Sequence, residues 1–474
     1  MKMKITAGDK IVELQEDRSL FGRMLVISKS RTEINLRETR ETIATYEFSI
    51  VPRAMFAADG TMLHCSTKSN LMAILEKLPT NNQETSVPLQ DAQAQVAGDS
   101  ATSTRKFVMI IDGMAQVQCF RKPDWVQNCS QLANCFTQQL LEKYHNSNEM
   151  HVVFDRYDVT DSLKTFTRQK RQGGQAPVAY HVTDTANIAK VGMKCQLSHT
   201  KTKSELTAYL AEKLLKKAHQ EQKHLVVAWG SECLATHQNV VHLGSSYEEA
   251  DTKLVLHALA ASCSGATTVH VYSPDMDVLV LLLRRYPELC QDTSFVTGVG
   301  QNHRVIKLGA IYSALGDKKA AALPSFHALS GADVTGSFSG NGKISCWKVF
   351  NNASEKTLTG LAALGTSDQP SEDSELAQEA VEQFVCSLYV LTLQTPQSLP
   401  NTKINEVGDL RWLFFKQNRA LSEKLPLAKA ALQQAIFRAH YHAMIWENDN
   451  TATPQSLPQK GMDGRKMMSQ NGSQ

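Results

Sequence analysis

The sequence lacks the short motifs that mark zinc proteins. Its 10 cysteines include no CxxC pair, which excludes the spacing of zinc fingers. Its 15 histidines include no HExxH or HxxxH pair, which argues against a zinc hydrolase. Scattered cysteines of this kind are typical of free, partly buried thiols in a reducing compartment. We therefore expect a protein of the nucleus or cytoplasm.

Long apolar runs and a strong net charge are also missing. No segment approaches about 18 uninterrupted apolar residues, so we expect no membrane span. The first residues, MKMKITAGDKIVELQEDRS, lack the apolar core of a secretory signal. Net charge is only +3, so any contact with nucleic acid must come from local basic patches rather than from a global field.

Composition divides the 474 residues into segments. The stretch Thr80–Arg105 is rich in Gln, Ser, Ala, Asn and Asp, which is typical of a linker. A second linker candidate ends in the acidic, Ser-rich TSDQPSEDSE. The predicted segments are an N-terminal accessory region at 1–80, a linker at 81–105, an α/β domain at 106–350, a linker at 351–375, a helical region at 376–447 and a disordered tail at 448–474.

Apolar strands alternate with helical stretches between residues 106 and 350. Runs such as FVMII and TVHVY are almost wholly apolar, as expected of parallel strands that are buried on both faces. The alternation predicts a doubly wound α/β domain with a mostly parallel sheet. The predicted strands are Phe107–Ile111, Val152–Phe154, His224–Ala228, Val269–Tyr272 and Ser294–Thr297, and the predicted helices include Trp125–Tyr144, Lys203–His219, Tyr247–Ser262, Val278–Arg285, Leu376–Leu393 and Leu427–Trp446.

Seven acidic residues stand where a predicted strand ends or a predicted helix begins. They are Asp112, Asp155, Glu249, Asp251, Asp275, Asp277 and Asp333. Residues just past the carboxyl ends of parallel strands converge on one crevice. Two like charges about 4 Å apart repel by roughly 4 kcal/mol at an effective dielectric of about 20, so such a cluster needs protons or divalent cations among its members. We interpret it as a two-metal phosphodiesterase site.

Several of these acids also have a purely structural explanation. Glu249 and Asp251 favour the dipole of a helix that starts beside them. Asp112 precedes a glycine and could belong to a turn, and Asp155 could form a surface ion pair with Arg156. The repetition of a strand followed by an acid favours a common site over four coincidences.

A basic stretch follows the second acid. On a helix, Lys164, Arg168 and Arg171 would share one face, with Lys170 beside them. We interpret this face as a clamp for a scissile phosphate. The alternatives are a solvated helix face or a weak nuclear-import patch.

The segment GNGK, with Gly340, Gly342 and Lys343, precedes a predicted helix. Glycines let backbone N–H groups approach a phosphate, and the lysine adds charge. Ile344 stands where a Walker A loop needs Ser or Thr. A helix–hairpin–helix contact to a nucleic-acid backbone fits better, and a plain flexible turn is the alternative.

The order of these motifs resembles the flap endonuclease (XPG-type) branch of the PIN-like 5′ nucleases. IDG, VFD, the YEEAD helix start, SPDMD, SGAD and GNGK carry the resemblance, which covers Phe107–Phe350. The chain also resembles uncharacterised animal proteins, some linked to mobile elements, that carry a stretch similar to FHALSGAD. In the flap endonucleases the first strand lies at the N-terminus, whereas about a hundred residues precede it here, and Asp251 stands where that family has Glu.

The resemblance implies a phosphodiesterase that uses two Mg²⁺ or Mn²⁺ ions on branched or ended nucleic acid, with DNA favoured over RNA. The seven acids would hold the ions directly or through water. Lys164 and Arg168 would contact the scissile phosphate, and the Gly340–Lys343 turn would hold duplex. A DNA-processing role favours a nuclear location, with the cytoplasm as the alternative.

Two other functions remain open at the level of sequence. A catalytically silent nucleic-acid-binding scaffold could keep the fold without cutting. A DxD-type glycosyltransferase could use Asp275 and Asp277, but it gives no reason for Asp112, Asp155 and Asp333.

Overall fold

The structure is a computed structural model that describes residues 2–7, 10–15, 39–79, 86–88, 105–159, 177–366, 372–391, 404–416 and 424–453. The chain forms two compact units, each built from separate stretches. Among the described residues, the first unit comprises those between 2 and 68 and between 325 and 442, and the second comprises those between 69 and 324 and between 443 and 453. Residues 325–350, predicted in the α/β domain, group with the first unit, and the described residues 69–79 and 86–88 group with the second.

The described strands are β1 Lys2–Ala7, β2 Lys10–Gln15, β3 Ser86–Pro88, β4 Phe107–Asp112, β5 Glu149–Val153, β6 Leu225–Trp229, β7 Glu232–Ala235, β8 Thr268–Tyr272, β9 Asp292–Thr297 and β10 Arg304–Lys307. The described α-helices are α1 Thr39–Thr45, α2 Ser69–Glu76, α3 Gly113–Cys119, α4 Cys129–Lys143, α5 Met193–Gln196, α6 Thr200–Gln220, α7 Ala250–Cys263, α8 Met276–Arg285, α9 Leu308–Leu315, α10 Asp317–Leu329, α11 Lys343–Asn351, α12 Glu355–Ala362, α13 Glu372–Leu391, α14 Val407–Lys416 and α15 Lys429–Glu447.

One mixed sheet organises the second unit. Its described strands number eight, in the order β3-β10-β9-β8-β4-β5-β6-β7. The five strands from β9 to β6 are parallel, and β3, β10 and β7 are antiparallel at the edges. Across the sheet from β6 to β9, the parallel strands are the third, second, first, fourth and fifth of their kind in the chain. That order reverses between β4 and β8, which is where open α/β sheets bind ligands. The predicted α/β class is confirmed.

Helices cover both faces of this sheet, which explains why its strands are apolar throughout. On β4, Met109 and Ile111 join a core that includes α3, α4 and α6. Val108 and Ile110 are equally buried and point to the other face. On that face α7 packs against β4, β5 and β8. The strand ends are therefore held rigidly from two sides.

A late segment of the chain, the C-terminal strap (residues 446–452), also belongs to the second unit. Arg285 of α8 donates to the Asp449 carboxylate (2.8 Å), and the Tyr247 hydroxyl donates to the carbonyl of Asn448. Asp449 is fully buried. The predicted disordered tail thus begins too early, because residues 448–453 are part of the fold and only those beyond 453 lie outside the described residues.

The first unit contains α1, α11–α14 and most of α15, together with the antiparallel β1–β2 hairpin. Arg411 of α14 is fully buried and donates to the carbonyls of Ile43 and Tyr46, both at 2.8 Å. The segment predicted as a second linker carries α12 and the start of α13.

All 10 cysteines lie in described stretches and are free thiols, as predicted. Within the described part of the chain, every helix is too short or too polar to cross a membrane.

Candidate metal centre

Asp112 ends β4 and caps the next helix. Its carboxylate accepts the Ala115 N–H of α3 (2.8 Å) and the Ser273 hydroxyl (3.3 Å). Gly113 begins that helix, and a Cβ there would lie 2.6 Å from the ring of Phe154. Asp112 and Gly113 therefore begin a closely packed helix, and they do not form the turn that was the alternative.

The environment of Asp112 opposes its ionisation. Burial, and then the charge of Asp155, raises the pKa of Asp112 to about 7, and the charge of Asp275 adds to the effect. Hydrogen bonds from Ala115 and Ser273 act in the opposite direction. Repulsion among carboxylates was the reason to expect cations at this site, and it is present at the end of β4.

Asp155 lies two residues beyond β5 and is oriented by two donors. The hydroxyl of Tyr157 reaches one carboxylate oxygen (2.9 Å), and the N–H of Ala250 at the start of α7 reaches the other (2.8 Å). Arg156 pairs with Asp158 instead (2.8 Å). Asp155 is thus tied to the acidic helix start rather than forming the alternative surface pair.

Three of the predicted acids form a compact triad. Asp251 lies in the first turn of α7, and Asp275 caps α8 by accepting the N–H of Asp277 (3.0 Å). Asp251 and Asp277 are 6% and 1% exposed. One oxygen from each of Asp251, Asp275 and Asp277 lies within 4.8 Å of the others. Glu249 occupies the N-cap position of α7, next to the residue that binds Asp155.

The donor set of this triad fits a hard divalent cation. Mg²⁺ and Mn²⁺ prefer carboxylate oxygens, whereas zinc sites use His and Cys as well. Helix starts place positive dipole ends beside the carboxylates, which lowers the free-energy cost of holding them together. A bound cation would offset the remaining repulsion.

Asp333 lies in the other unit, where it pairs with Lys68 (2.6 Å). Its predicted place beside the other six acids stays a prediction. Gly340 is exposed with φ +74°, as a glycine turn requires, and Gly342 caps α11.

Lys343 departs from its predicted role. Its side chain is fully buried, and its ammonium donates to the carbonyl of His327 and the hydroxyl of Ser330, both at 2.8 Å. Because this ammonium is turned into the protein, it does not present its charge to a phosphate. The predicted phosphate contact of Lys343 is therefore wrong, and the lysine instead connects the start of α11 to the end of α10.

The residues of the predicted phosphate clamp lie outside the described residues; they are Lys164, Arg168, Lys170 and Arg171.

Two residues near the acids were not singled out from the sequence. Ser273 is fully buried, and its hydroxyl donates to Asp112 while accepting the N–H of Asp275 (3.1 Å). Lys253 of α7 is 1% exposed and donates to the carbonyl of Gly230 (2.8 Å). Burial lowers the pKa of Lys253 to about 8, while the charge of Asp155 acts in the opposite direction.

No family model matches this chain, and no curated protein matches it. Similar solved structures come from bacteriophage T5. The D15 protein crystallised with metal ions is 13% identical, with 73% of this chain and 97% of that chain covered and a TM-score of 0.30. A D15 flap endonuclease complex with DNA and metal ions is 12% identical, with 73% and 97% covered and a TM-score of 0.29. The T5 5′-exonuclease with bound zinc is 12% identical, with 71% and 100% covered and a TM-score of 0.33. At these scores the likeness establishes neither a family nor an activity for this chain.

Proposed function

We propose that this protein is a divalent-metal-dependent nuclease that hydrolyses phosphodiester bonds in DNA with structural specificity. The convergence of Asp251, Asp275 and Asp277 within 4.8 Å carries the proposal. Asp275 and Asp277 follow β8 on one side of the switch point, Asp251 lies at the start of α7 just before β8 in the chain, and Asp112 ends β4 on the other side. A two-residue DxD site would leave this fourth carboxylate unexplained.

The proposed cofactors are two Mg²⁺ or Mn²⁺ ions. Asp251, Asp275 and Asp277 would hold the first, and Asp112, Asp155 and Glu249 are the proposed ligands of the second, with Asp333 as a further candidate. When bound, the ions would supply an activated water and charge stabilisation of the leaving oxygen.

Residues of the chain itself would prepare this chemistry. The Ser273 hydroxyl donates to the Asp112 carboxylate and accepts the backbone N–H of Asp275, and so it links the residues on the two sides of the switch point. The starts of α7 and α8 favour an anionic phosphate at the same place. Lys164 and Arg168 are the proposed contacts to that phosphate, and a nuclear location is proposed with the DNA substrate.

Cleavage of labelled 5′-flap, single-stranded and duplex DNA and RNA with Mg²⁺ or Mn²⁺ tests the proposal. The variant is Asp275→Asn/Asp277→Asn, because Asn keeps the shape and the capping ability of Asp. Asp124→Asn, at an exposed position between α3 and α4, is the control for an Asp-to-Asn change away from the cluster. We expect the wild type and the control to cut and the double variant or added chelator to abolish cutting. Nucleic-acid binding without cutting in any sample would instead support the silent scaffold.

A further inference from the structure

Four histidines gather around the carboxylate of Glu149, the first residue of β5. The Nε2 atoms of His151 and His237 lie 3.1 and 3.5 Å from the same oxygen of Glu149. The other ring nitrogen of His151, Nδ1, lies 2.9 Å from Nδ1 of His257 on α7. The ring of His237 stacks on that of His224, with centroids 4.2 Å apart. These four residues, the histidine cluster, connect α7 and the β6–β7 hairpin to the amino end of β5, whereas the proposed metal centre lies beyond its carboxyl end.

A single proton joins His151 to His257. An ionised Glu149 carboxylate can only accept, so Nε2 of His151 is the donor in that hydrogen bond. Between the two Nδ1 atoms one nitrogen must donate and the other must accept, so one proton lies between the rings. His151 is 3% exposed and His257 is fully buried. The bond therefore exists while at least one of the two rings is neutral, and it is lost when both rings are cations.

Glu149 stays ionised well into the acid range. Burial alone would raise its pKa, but the hydrogen bonds and charges of His151 and Lys106 lower the pKa to about 2. The Lys106 ammonium lies 3.0 Å from the second carboxylate oxygen, and the side-chain amide of Gln238 donates to the first (3.3 Å). Protons that the cluster takes up in acid must therefore go to its histidines.

The folded cluster opposes this uptake. Burial lowers the pKa of His257 well below its ordinary value, and the positive charges around the ring add to the effect. Burial also lowers the pKa of His237, against the attraction of Glu149. Within the described residues no group hydrogen-bonds with Nε2 of His257 or Nδ1 of His237. The other charged and titratable groups nearby are Lys106 before β4, Cys233 on β7, His242 between β7 and α7, and Lys253 on α7, while α8 directs Arg284 and Arg285 to the C-terminal strap.

We propose that the histidine cluster is a pH-sensitive switch that holds α7 and the β6–β7 hairpin against β5 at neutral pH and releases them in acid. The sign follows from the lowered pKa values. A buried neutral histidine contributes its full stabilisation above the unfolded pKa of about 6.5, and the contribution is lost as pH falls below it. Each proton taken up on release favours the open form by about tenfold per pH unit. This inference goes beyond the proposed function and does not depend on it.

Hydrogen exchange of the full chain in chelator, at pH 7 and pH 5, measures the release. The protection of amides in α7, β6 and β7 is compared with that of α4, which packs on the opposite face of the sheet. After correction for the intrinsic effect of pH on exchange, we expect the ratio to α4 to fall at least about tenfold at pH 5. A local readout is needed because the raised pKa of Asp112 gives global stability a pH dependence of the opposite sign.

Two variants and one control test the role of the histidines. His257→Asn keeps a polar group on the side chain but cannot become a cation, so the pH effect on α7 should shrink to less than about threefold. His237→Gln can still donate to Glu149 and should do the same for the β6–β7 hairpin. His219→Asn, at an exposed position in α6, should behave as the wild type. An equal pH effect on α4 and α7 in the wild type, or an unchanged effect in both variants, would overturn the proposal.

Nitrogen-15 NMR of the histidine rings gives a test that needs no variant. At pH 7 the wild type should show one proton shared between the Nδ1 atoms of His151 and His257. Two protonated Nδ1 atoms in the folded protein at pH 7 would overturn the proposal, because the pair would then already lack its hydrogen bond and could not be released by acid.

Discussion

Replacing Asp112 with Asn should stabilise the metal-free protein. The Asn oxygen can still accept the Ala115 N–H, so the cap of α3 is kept. The negative charge is lost, and with it the repulsion from Asp155 and Asp275. Most single substitutions destabilise a protein, so a gain in stability is a distinctive result.

The size of the gain follows from the pKa. A shift of the Asp112 pKa from 3.8 to about 7 corresponds to about 4 kcal/mol, at about 1.4 kcal/mol per unit. Interacting carboxylates titrate as a set, so this free energy is an upper limit that the whole cluster shares and not the contribution of Asp112 alone. We expect Asp112→Asn to contribute about half of it, roughly 2 kcal/mol at pH 8, which raises the Tm by about 4 °C.

The pH dependence has a definite sign. The pKa of Asp112 is higher in the folded state, so the folded state binds more protons between about pH 4 and pH 7. Stability of the metal-free wild type must therefore fall as pH rises through this window. The advantage of Asp112→Asn should shrink by more than half at pH 5.

Thermal melts in chelator at pH 5 and pH 8 provide the assay, with Asp124→Asn as the exposed control of equal charge change. Added Mn²⁺ should stabilise the wild type more than Asp112→Asn. A loss of stability in Asp112→Asn at pH 8, or the same effect at both pH values, would refute the electrostatic reasoning.

Two further predictions concern packing and a buried ion pair. Gly113→Ala should cost about 1–3 kcal/mol, since its Cβ would lie 2.6 Å from an aromatic ring, whereas Gly192→Ala, with open space around it, should be neutral in the same melts. Asp449→Ala should cost about 3 kcal/mol by leaving Arg285 without its buried partner. Glu288→Ala removes the exposed partner of that arginine and should cost less than about 1 kcal/mol; equal losses from the two would contradict the argument.

The parallel strands were predictable because burial on both faces leaves an apolar run in the sequence. The exact ends of these strands were harder to predict. Strand β5 begins at Glu149, which looks like a loop residue, yet its carboxylate is buried against Lys106 (3.0 Å) and His151 (3.1 Å). A partner forty residues away in sequence decides that boundary, and no local pattern records it.

The clustering of the acidic residues was predictable because the carboxyl ends of parallel strands lie at the same edge of a sheet. Lys253 was missed because α7 is buried on nearly every side, so its apolar residues show no stripe that would mark an inner face. A charged residue in so apolar a helix was the available signal. The buried position of Lys343 was missed because its partners, His327 near the end of α10 and Ser330 just beyond it, come into contact with it only when the chain folds.

The C-terminal strap has a consequence for protein synthesis. Arg285 of α8 meets its partner Asp449 only after 164 more residues have been made, which takes about 8–33 s at common elongation rates of about 5–20 residues per second. Until then α8, whose first turn carries Asp277, lacks the contacts that secure its far end. A nascent chain would therefore carry the carboxylates of its proposed centre well before the ribosome delivers the segment that completes their unit.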